Sequence, residues 1–326
     1  MRSRNAVADF FRQHWHRATA RRPTHPSLEA LDEALAVFAD DAAPAQEDRE
    51  CESPVFLLAT GWRSGSTLLQ RILCTDPSLL LWGEPLGRLA LLPRLADALC
   101  AVSRAWPPAD FWLRSTPAPG ALARTWIANL YPPGPHLRAA LRAMVLEWLA
   151  LPARSRGFAR WGLKEVRYGA AEGRLLRWLF PRARFVVLVR NPLDAYRSLS
   201  RALPAGRPWD MYSRWPEQPL GGAASFARHW DRLTTSWLAP PPGADIRIIR
   251  YEDLVAGRVD YRDLEAYCGL KLEERRALEV HAGRTRDRSA LHPHERWIIR
   301  REARRGLEAF GYAAAAVTPG RRASGA

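Results

Sequence analysis

The segment from Pro54 to Leu73 constrains the fold more than any other part of the sequence. Residues 54–58 form an apolar run that is typical of a buried parallel strand. Residues 59–67 are rich in Gly, Ser and Thr, and the next apolar residues recur at helical spacing until Asp76-Pro77. The order strand, loop, helix predicts unpaired backbone N–H groups aimed at one point, a site that favours phosphate. The alternative is an ordinary tight turn capped by Ser or Thr.

The side chains of this loop add to its affinity for anions. Arg63 contributes a fixed charge, and Ser64, Ser66 and Thr67 contribute hydroxyl donors. The loop contains no Lys, so it is not a Walker A motif, and it does not match G-x-G-x-x-G.

The run R-S-G-S-T-L-L at residues 63–69 closely resembles the 5′-phosphosulfate loop of the sulfotransferase family, usually written PRSGTT or PKSGTT. Trp62 stands where the family commonly has Pro, and Ser66 stands where it has Thr, which keeps a hydroxyl. The resemblance implies 3′-phosphoadenylyl sulfate (PAPS) as the sulfuryl donor and adenosine 3′,5′-bisphosphate as a product. The donor-binding residues that it implies here are Arg63, Ser64, Gly65, Ser66, Thr67 and Leu68.

A second phosphate site is predicted where the clearest strand of the chain ends. Residues 184–190 carry five consecutive apolar residues and deliver Arg190 to the carboxyl end of the strand. Asn191-Pro192 ends the strand, and residues 193–203 are predicted to be helical, with Ser198 on that helix. An Arg fork and a hydroxyl can hold one phosphate. In sulfotransferases the pattern R-(x7)-S binds the 3′-phosphate, and the resemblance implies this role for Arg190 and Ser198.

Two further residues are candidates for catalysis. Glu84 follows an apolar run and precedes Pro85, so it is predicted at a strand end, where ligands of α/β sheets bind. Lys164 is one of two lysines in an Arg-rich chain, the other being Lys271. A surface Glu and a surface Lys are the alternatives. The resemblance to the tyrosylprotein sulfotransferases, with their G-E and K-D-P elements, implies a general base at Glu84 and transition-state contact by Lys164, while Arg63 also acts in catalysis.

Residues 246–254 are predicted to form another strand, which ends in a Y-E-D motif similar to that of the family. The resemblance implies that Tyr251 contacts the adenine; its alternative is a packed rim residue. Glu252 and Asp253 are interpreted as residues that order the loop. A late basic loop closes over the nucleotide in the family, and its candidates here are Arg288, Ser289 and Arg296.

The fold class that follows is α/β, a P-loop-like three-layer fold with a central parallel sheet, flanking helices and a helical substrate cap. Residues 1–50 are interpreted as an N-terminal helical extension and linker, and residues 51–312 as the sulfotransferase domain. Within the domain, residues 86–155 are interpreted as the helical cap or insertion, and residues 204–222 as a loop that could serve as a lid. Residues 313–326 are predicted to be a disordered tail.

Composition narrows the class of protein. The chain has 326 residues, of which 47% are hydrophobic, and it has no long apolar run, so no transmembrane helix is expected. Residues 1–23 are rich in Arg and His and lack an apolar core, unlike a secretory signal peptide, which predicts a cytoplasmic protein. The four cysteines contain no C-x-x-C pair, and neither a zinc site nor a disulfide framework is predicted. No metal is implied by the resemblance.

The net charge of +15 reflects either an Arg-rich genome or anionic partners such as a phosphorylated donor. No nucleic-acid-binding signature is present, and no nucleic acid is expected as a partner. The alternatives are a P-loop-type kinase or NTPase, and a non-catalytic protein that binds anions or nucleic acid. The acceptor stays open between carbohydrate, lipid-linked sugar, peptide tyrosine and small natural product, as do O- versus N-sulfation and the oligomeric state.

Overall fold

The structure, a computed structural model, describes most of the chain. The described residues are 30–39, 52–87, 89–102, 107–108, 111–113, 115, 117–124, 127–128, 130–202, 221–275, 278–279 and 291–313. The predictions for residues 1–29 and 40–50, for most of the 204–222 loop and for nearly all of the 313–326 tail lie outside these ranges.

A parallel five-stranded sheet forms the centre of the molecule, with the strand order β2-β3-β1-β4-β5. Its strands are β1 Val55–Ala59, β2 Leu79–Gly83, β3 Arg160–Glu165, β4 Arg184–Val189 and β5 Ile246–Arg250. β1 lies at the middle of the sheet and every one of its residues is buried, as expected for an apolar run covered on both faces. The α/β class with a central parallel sheet is therefore confirmed.

Helices cover both faces of the sheet. In chain order they are α1 Leu31–Ala39, α2 Ser66–Leu73, α3 Leu91–Cys100, α4 Gly134–Val145, α5 Leu151–Arg154, α6 Ala170–Leu179, α7 Pro192–Ala202, α8 Ala223–Ser236, α9 Tyr251–Val255, α10 Tyr261–Cys268, α11 Pro293–Glu302 and α12 Arg304–Ala309. The chain leaves β1 towards one edge of the sheet through α2 and leaves β3 towards the other through α6. Because parallel crossovers are right-handed, α2 and α6 lie on opposite faces.

Residues 86–155, which were interpreted as a cap or insertion, are largely helical where the structure describes them. A π-helical turn, Leu146–Ala150, joins α4 to α5, and a 3₁₀ turn covers Ala121–Arg124. α3 and α4 pack against α1 and α6, so they belong to one of the helical layers that flank the sheet. Their role as a substrate cap stays a prediction.

One element differs from the sequence-based expectation. β5 ends at Arg250, and the Y-E-D residues open the short helix α9 instead of continuing the strand. The apolar run that favoured a longer strand stops at Ile249, and the polar residues after it have no neighbouring strand position to fill.

No helix among the described residues is long and apolar enough to cross a membrane.

Candidate active site

Because the strands are parallel, the carboxyl ends of all five lie at the same end of the sheet. Ala59 of β1 is paired with Leu188 of β4, and Gly83 of β2 is paired with Lys164 of β3. The residues that follow these strands therefore emerge side by side. This end of the sheet carries the loop after β1, Glu84 after β2, and Arg190 and Tyr251 after β4 and β5.

The loop after β1 forms a cradle of backbone donors. The N–H groups of residues 63–67 donate no hydrogen bond within the part of the chain that the structure describes. Three residues of this loop have a positive φ: Gly61 at 103°, Arg63 at 60° and Gly65 at 92°. Successive N–H groups in such a turn point into a common concavity, and the N-terminus of α2 adds its dipole. The loop therefore presents several N–H donors to one concavity, an arrangement that favours an anion.

Side chains of the loop differ in how they face this cradle. Ser64 is buried, and its Oγ has no hydrogen-bond partner among the described atoms. Ser66 is also buried, whereas Arg63 and Thr67 are exposed. Leu68 differs from residues 63–67, because its side chain is apolar and its N–H donates to Gly65 O at 2.9 Å. Leu68 lies in the first turn of α2, and its N–H is not free for a ligand.

Arg190 and Ser198 both lie against the loop after β1. Arg63 Nε donates to Ser198 Oγ at 3.1 Å, and Arg190 Nη1 donates to the carbonyl oxygen of Arg63 at 2.7 Å. Arg63 therefore contacts Arg190 and Ser198, which lie 127 and 135 positions later in the chain. The two arginines and the free N–H groups give this end of the sheet a positive potential, which suits a ligand with several phosphate or sulfate groups.

Tyr251 packs on the same loop. A Cβ atom placed on Gly65 would lie 2.2 Å from Tyr251 Cδ2, so only glycine fits beneath the ring. The guanidinium of Arg190 lies over the ring at 4.1 Å from its centroid, a cation–π distance. The ring of Tyr251 therefore connects the loop to Arg190.

Glu84 and Lys164 form the second part of the site. Lys164 Nζ donates to Glu84 Oε1 at 2.5 Å, and the Lys164 side chain is almost fully buried. Glu84 has a φ of 30°, which is rare for a residue other than glycine. Strained backbone of this kind occurs often at functional sites because the surrounding structure must hold it in place.

Two buried charged residues that the sequence analysis did not select hold Glu84. Arg167 Nη2 donates to Glu84 Oε2 at 3.1 Å and lies 3.4 Å from Glu165 Oε2. The other oxygen of Glu165 accepts the N–H groups of Leu86 and Gly87 at 3.0 and 2.7 Å. Glu165 therefore fixes the backbone just after Glu84. The signal for these residues was the charged run K-E-V-R at residues 164–167, which begins in the last two residues of β3.

Burial determines the protonation of this network. It raises the pKa of the Glu165 carboxyl from 4.5 to about 7, although Arg167 and the N–H of Gly87 act in the opposite direction. His229 is buried beside Trp62 of the loop, with ring centroids 5.0 Å apart. Burial lowers the pKa of His229 well below its ordinary value, and Arg232 and Arg167 lower it further, so this ring is neutral.

The remaining predicted residues are not brought into the site by any described contact. Arg288 and Ser289 lie outside the described residues. Arg296 is exposed on α11, whose Glu295 accepts a hydrogen bond from Tyr196 of α7 at 3.0 Å. Helix α11 thus packs beside the helix that carries Ser198. Among the described residues no group of three or more His, Cys, Asp and Glu side chains could hold a metal ion.

Comparison with known proteins identifies what this arrangement resembles. A family model described as "Sulfotransferase family" matches residues 54–274. A search among curated proteins gives no match. Among solved structures, the sulfotransferase domain of the Synechococcus PCC 7002 olefin synthase is 20% identical, with a TM-score of 0.46, over 83% of this chain and 99% of that one. Sulfotransferase STF9 from Mycobacterium avium is 17% identical, with a TM-score of 0.44, over 93% and 96% of the two chains.

Proposed function

The chain belongs to the sulfotransferase family, and from that premise we propose that it transfers the sulfuryl group of PAPS to a hydroxyl or amine of an acceptor. The observation that carries the proposal is the anion cradle at residues 63–67, with Arg190 and Ser198 bonded to the same loop. One loop and one neighbouring strand end provide two adjacent anion sites, which is what a nucleotide with a 5′-phosphosulfate and a 3′-phosphate requires.

The residues present fit this donor. The unpartnered, buried Ser64 Oγ and the free N–H groups would bind the 5′-phosphosulfate, together with Arg63. Arg190 and Ser198 would bind the 3′-phosphate, with Tyr251 contacting the adenine. PAPS supplies an activated sulfuryl group whose leaving group is adenosine 3′,5′-bisphosphate.

Charge in the transition state is met by preorganised donors. In sulfuryl transfer, as in phosphoryl transfer, charge spreads over the equatorial oxygens, and positioning with electrostatic stabilisation supplies most of the catalysis. Arg63 and the loop N–H groups are fixed before the reaction and so cost no reorganisation. Lys164 carries its ammonium on a flexible stem and can turn from Glu84 towards the bridging oxygen of the donor.

This movement of Lys164 would release Glu84 for proton transfer. In the structure, Glu84 Oε1 is bonded to Lys164 and Oε2 to Arg167. When Lys164 turns away, Oε1 becomes free to accept the proton of the acceptor hydroxyl. The new bond forms between the acceptor oxygen and sulfur, the bond from sulfur to the bridging oxygen breaks, and the leaving group keeps that electron pair beside Lys164. A general base of this kind contributes about 10²–10⁴ in rate.

The experiment that tests the donor is calorimetric titration without added metal. We expect adenosine 3′,5′-bisphosphate to bind much more tightly than AMP or ATP, because only the bisphosphate reaches both anion sites. Preference for ATP, or equal binding of the three nucleotides, would reject the donor and return the kinase and the binding protein as the better interpretations.

The matching test of catalysis is Glu84→Gln. It should leave the affinity for the bisphosphate near that of the wild type and lower the release of bisphosphate from PAPS by about a hundredfold or more. The acceptor probe is a mixture of 4-nitrophenol, glycerol and N-acetylglucosamine. Normal turnover by the variant would remove Glu84 as the base.

A further inference from the structure

The peptide unit that follows Arg190 is held at both ends by side chains from other elements. Trp230 Nε1 of α8 donates to the carbonyl oxygen of Arg190 at 3.0 Å. The N–H of Asn191, on the other side of the same peptide bond, donates to Glu252 Oε1 of α9 at 3.0 Å. A planar peptide with both polar groups fixed cannot rotate. The plane of this peptide contains the Cα atom of Arg190, so fixing the peptide fixes the point from which the Arg190 side chain leaves the strand.

Tyr312, near the end of the described chain, contacts both Glu252 and Trp230, the two side chains that hold this peptide unit. Tyr312 donates its hydroxyl to Glu252 Oε2 at 2.7 Å, and its ring lies edge-on to Trp230, with centroids 6.4 Å apart. The guanidinium of Arg250 covers the other side, 4.6 Å from the ring centroid. Tyr312 therefore contacts the donor on one side of the peptide unit and the acceptor on the other.

Burial and charge keep this arrangement in one state. Tyr312 and Trp230 are almost fully buried. Burial raises the pKa of the Tyr312 hydroxyl, and Glu252 raises it further, so the hydroxyl stays a donor at neutral pH. Helix α12 is fastened to α8 by the bond from Gly306 N to Asp231 Oδ1 at 2.7 Å, and the backbone of Gly306 lies against the Trp230 ring. The segment that ends in Tyr312 is thus attached to the helix that carries Trp230.

From this geometry we infer that Trp230, Glu252 and Tyr312 are positioning residues for Arg190. The segment from α12 to Tyr312 thereby sets the affinity of the site for a 3′-phosphate. The inference rests on the proposed donor. Arg190 has few other restraints on the exposed side, where its guanidinium meets only the Arg63 carbonyl and the Tyr251 ring among its described contacts. Its precision as a phosphate ligand therefore depends on the fixed peptide behind it.

The test compares adenosine 3′,5′-bisphosphate with AMP, which lacks the 3′-phosphate, by calorimetry on the full chain. Tyr312→Phe removes one hydroxyl and keeps the ring. We expect it to weaken binding of the bisphosphate by about tenfold while binding of AMP stays within about twofold. Glu252→Ala should have a larger effect of the same kind, and Glu252→Gln should recover part of the affinity, because an amide oxygen can still accept the Asn191 N–H.

The matched control is Tyr267→Phe. Tyr267 is buried like Tyr312, and its hydroxyl bonds to Phe185 near the opposite end of β4. This variant loses stability through the same chemical change, but its preference for the bisphosphate over AMP should equal that of the wild type. An Arg190→Ala background supplies the second control, since Tyr312→Phe should change nothing further there.

The outcomes separate this inference from the proposed function. If the wild type does not prefer the bisphosphate over AMP, the donor assignment is wrong. If the wild type shows the preference, Arg190→Ala removes it, and both Tyr312→Phe and Glu252→Ala retain it, the positioning role is wrong while the donor stands. Loss of the preference in these two variants, but not in Tyr267→Phe, supports the role.

Discussion

At the scale of single residues, the site depends on charges buried beside one another. Glu165 is fully buried, yet it touches Arg167 and two backbone N–H groups. Leaving Arg167 without a carboxylate would cost several kcal/mol, since an unpaired buried charge is strongly destabilising. The two carboxylates around Arg167 share one cation, and the protonation of Glu165 decides how that charge is divided.

This arrangement predicts how stability changes with pH. Because the pKa of Glu165 is about 7 in the folded protein and 4.5 ordinarily, the folded state binds more protons than the unfolded state between these values. The contribution of Glu165 is therefore complete below pH 4.5 and is lost as pH rises to 7, by at most about 1.4 kcal/mol per pH unit. The Glu165→Gln variant has no titrating group at this position and so serves as the reference.

Urea unfolding at pH 5, 6 and 7 measures this effect. The free energy of unfolding of the wild type, relative to Glu165→Gln, should fall as the pH rises. A constant difference across this range would show that Glu165 titrates at its ordinary pKa in the folded protein.

At the scale of elements, the loop between β1 and α2 is shaped by its glycines and by the ring that rests on it. Gly61 and Gly65 both have positive φ, at 103° and 92°. Their surroundings differ, because a Cβ on Gly61 would meet no atom within 4 Å, whereas one on Gly65 would collide with Tyr251. The two positions separate backbone strain from the effect of displacing Tyr251.

Gly65→Ala should weaken binding of adenosine 3′,5′-bisphosphate by about tenfold or more, because the methyl group displaces Tyr251 and with it Arg190. Gly61→Ala should cost about 1 kcal/mol of stability through its backbone alone and leave the affinity nearly unchanged. Calorimetry and urea unfolding of both variants give the comparison. Equal losses of affinity would mean that loop strain, and not the contact with Tyr251, governs binding.

At the scale of the whole molecule, close packing of the sheet is what brings the strand ends together. Gly162 of β3 lies between β1 and β2, and a Cβ there would be 2.0 Å from the carbonyl oxygen of Val55. Aromatic side chains fill the space near the start of β1, β3 and β4. The ring of Phe56 lies edge-on to Trp161 and Phe185, with ring centroids 6.2 and 5.5 Å apart. The spacing of β3 from β1 fixes the distance between the Glu84–Lys164 pair and the anion cradle.

Gly162→Ala should therefore lower the free energy of unfolding by about 1–3 kcal/mol, the usual cost of overpacking a core. Gly83→Ala is the matched control, because Gly83 lies in the adjacent strand with no atom within 4 Å of its Cβ position. Urea midpoints of the two variants check this. A Gly162→Ala protein as stable as the wild type would show that the sheet can widen without cost.

The sequence alone determined the local features of this protein. Apolar runs and helical spacing predicted β1, β4 and the helices α2 and α7 that follow them, since these patterns follow from short-range geometry. The loop after β1 was predicted as an anion site for the same reason, and the family match to residues 54–274 agrees with the resemblance of that loop. Arg190 and Glu84 were selected because each is predicted at a strand end, and Lys164 because it is one of two lysines in the chain. Arg63 and Ser198 were selected because they match phosphate-binding patterns of the family.

The residues that support Glu84 and Arg190 are identified by packing in three dimensions and not by the sequence. In the sequence, nothing distinguishes Glu165 and Arg167 from surface charges. The pairing of β2 with β3 brings Arg167 to Glu84 and Glu165 to the backbone that follows Glu84. Tyr312 lies 122 positions from Arg190, and nothing local indicates that it supports the same peptide unit through Glu252. Such contacts depend on which elements pack together, because burial and charge pairing between distant segments leave no periodic pattern in either segment.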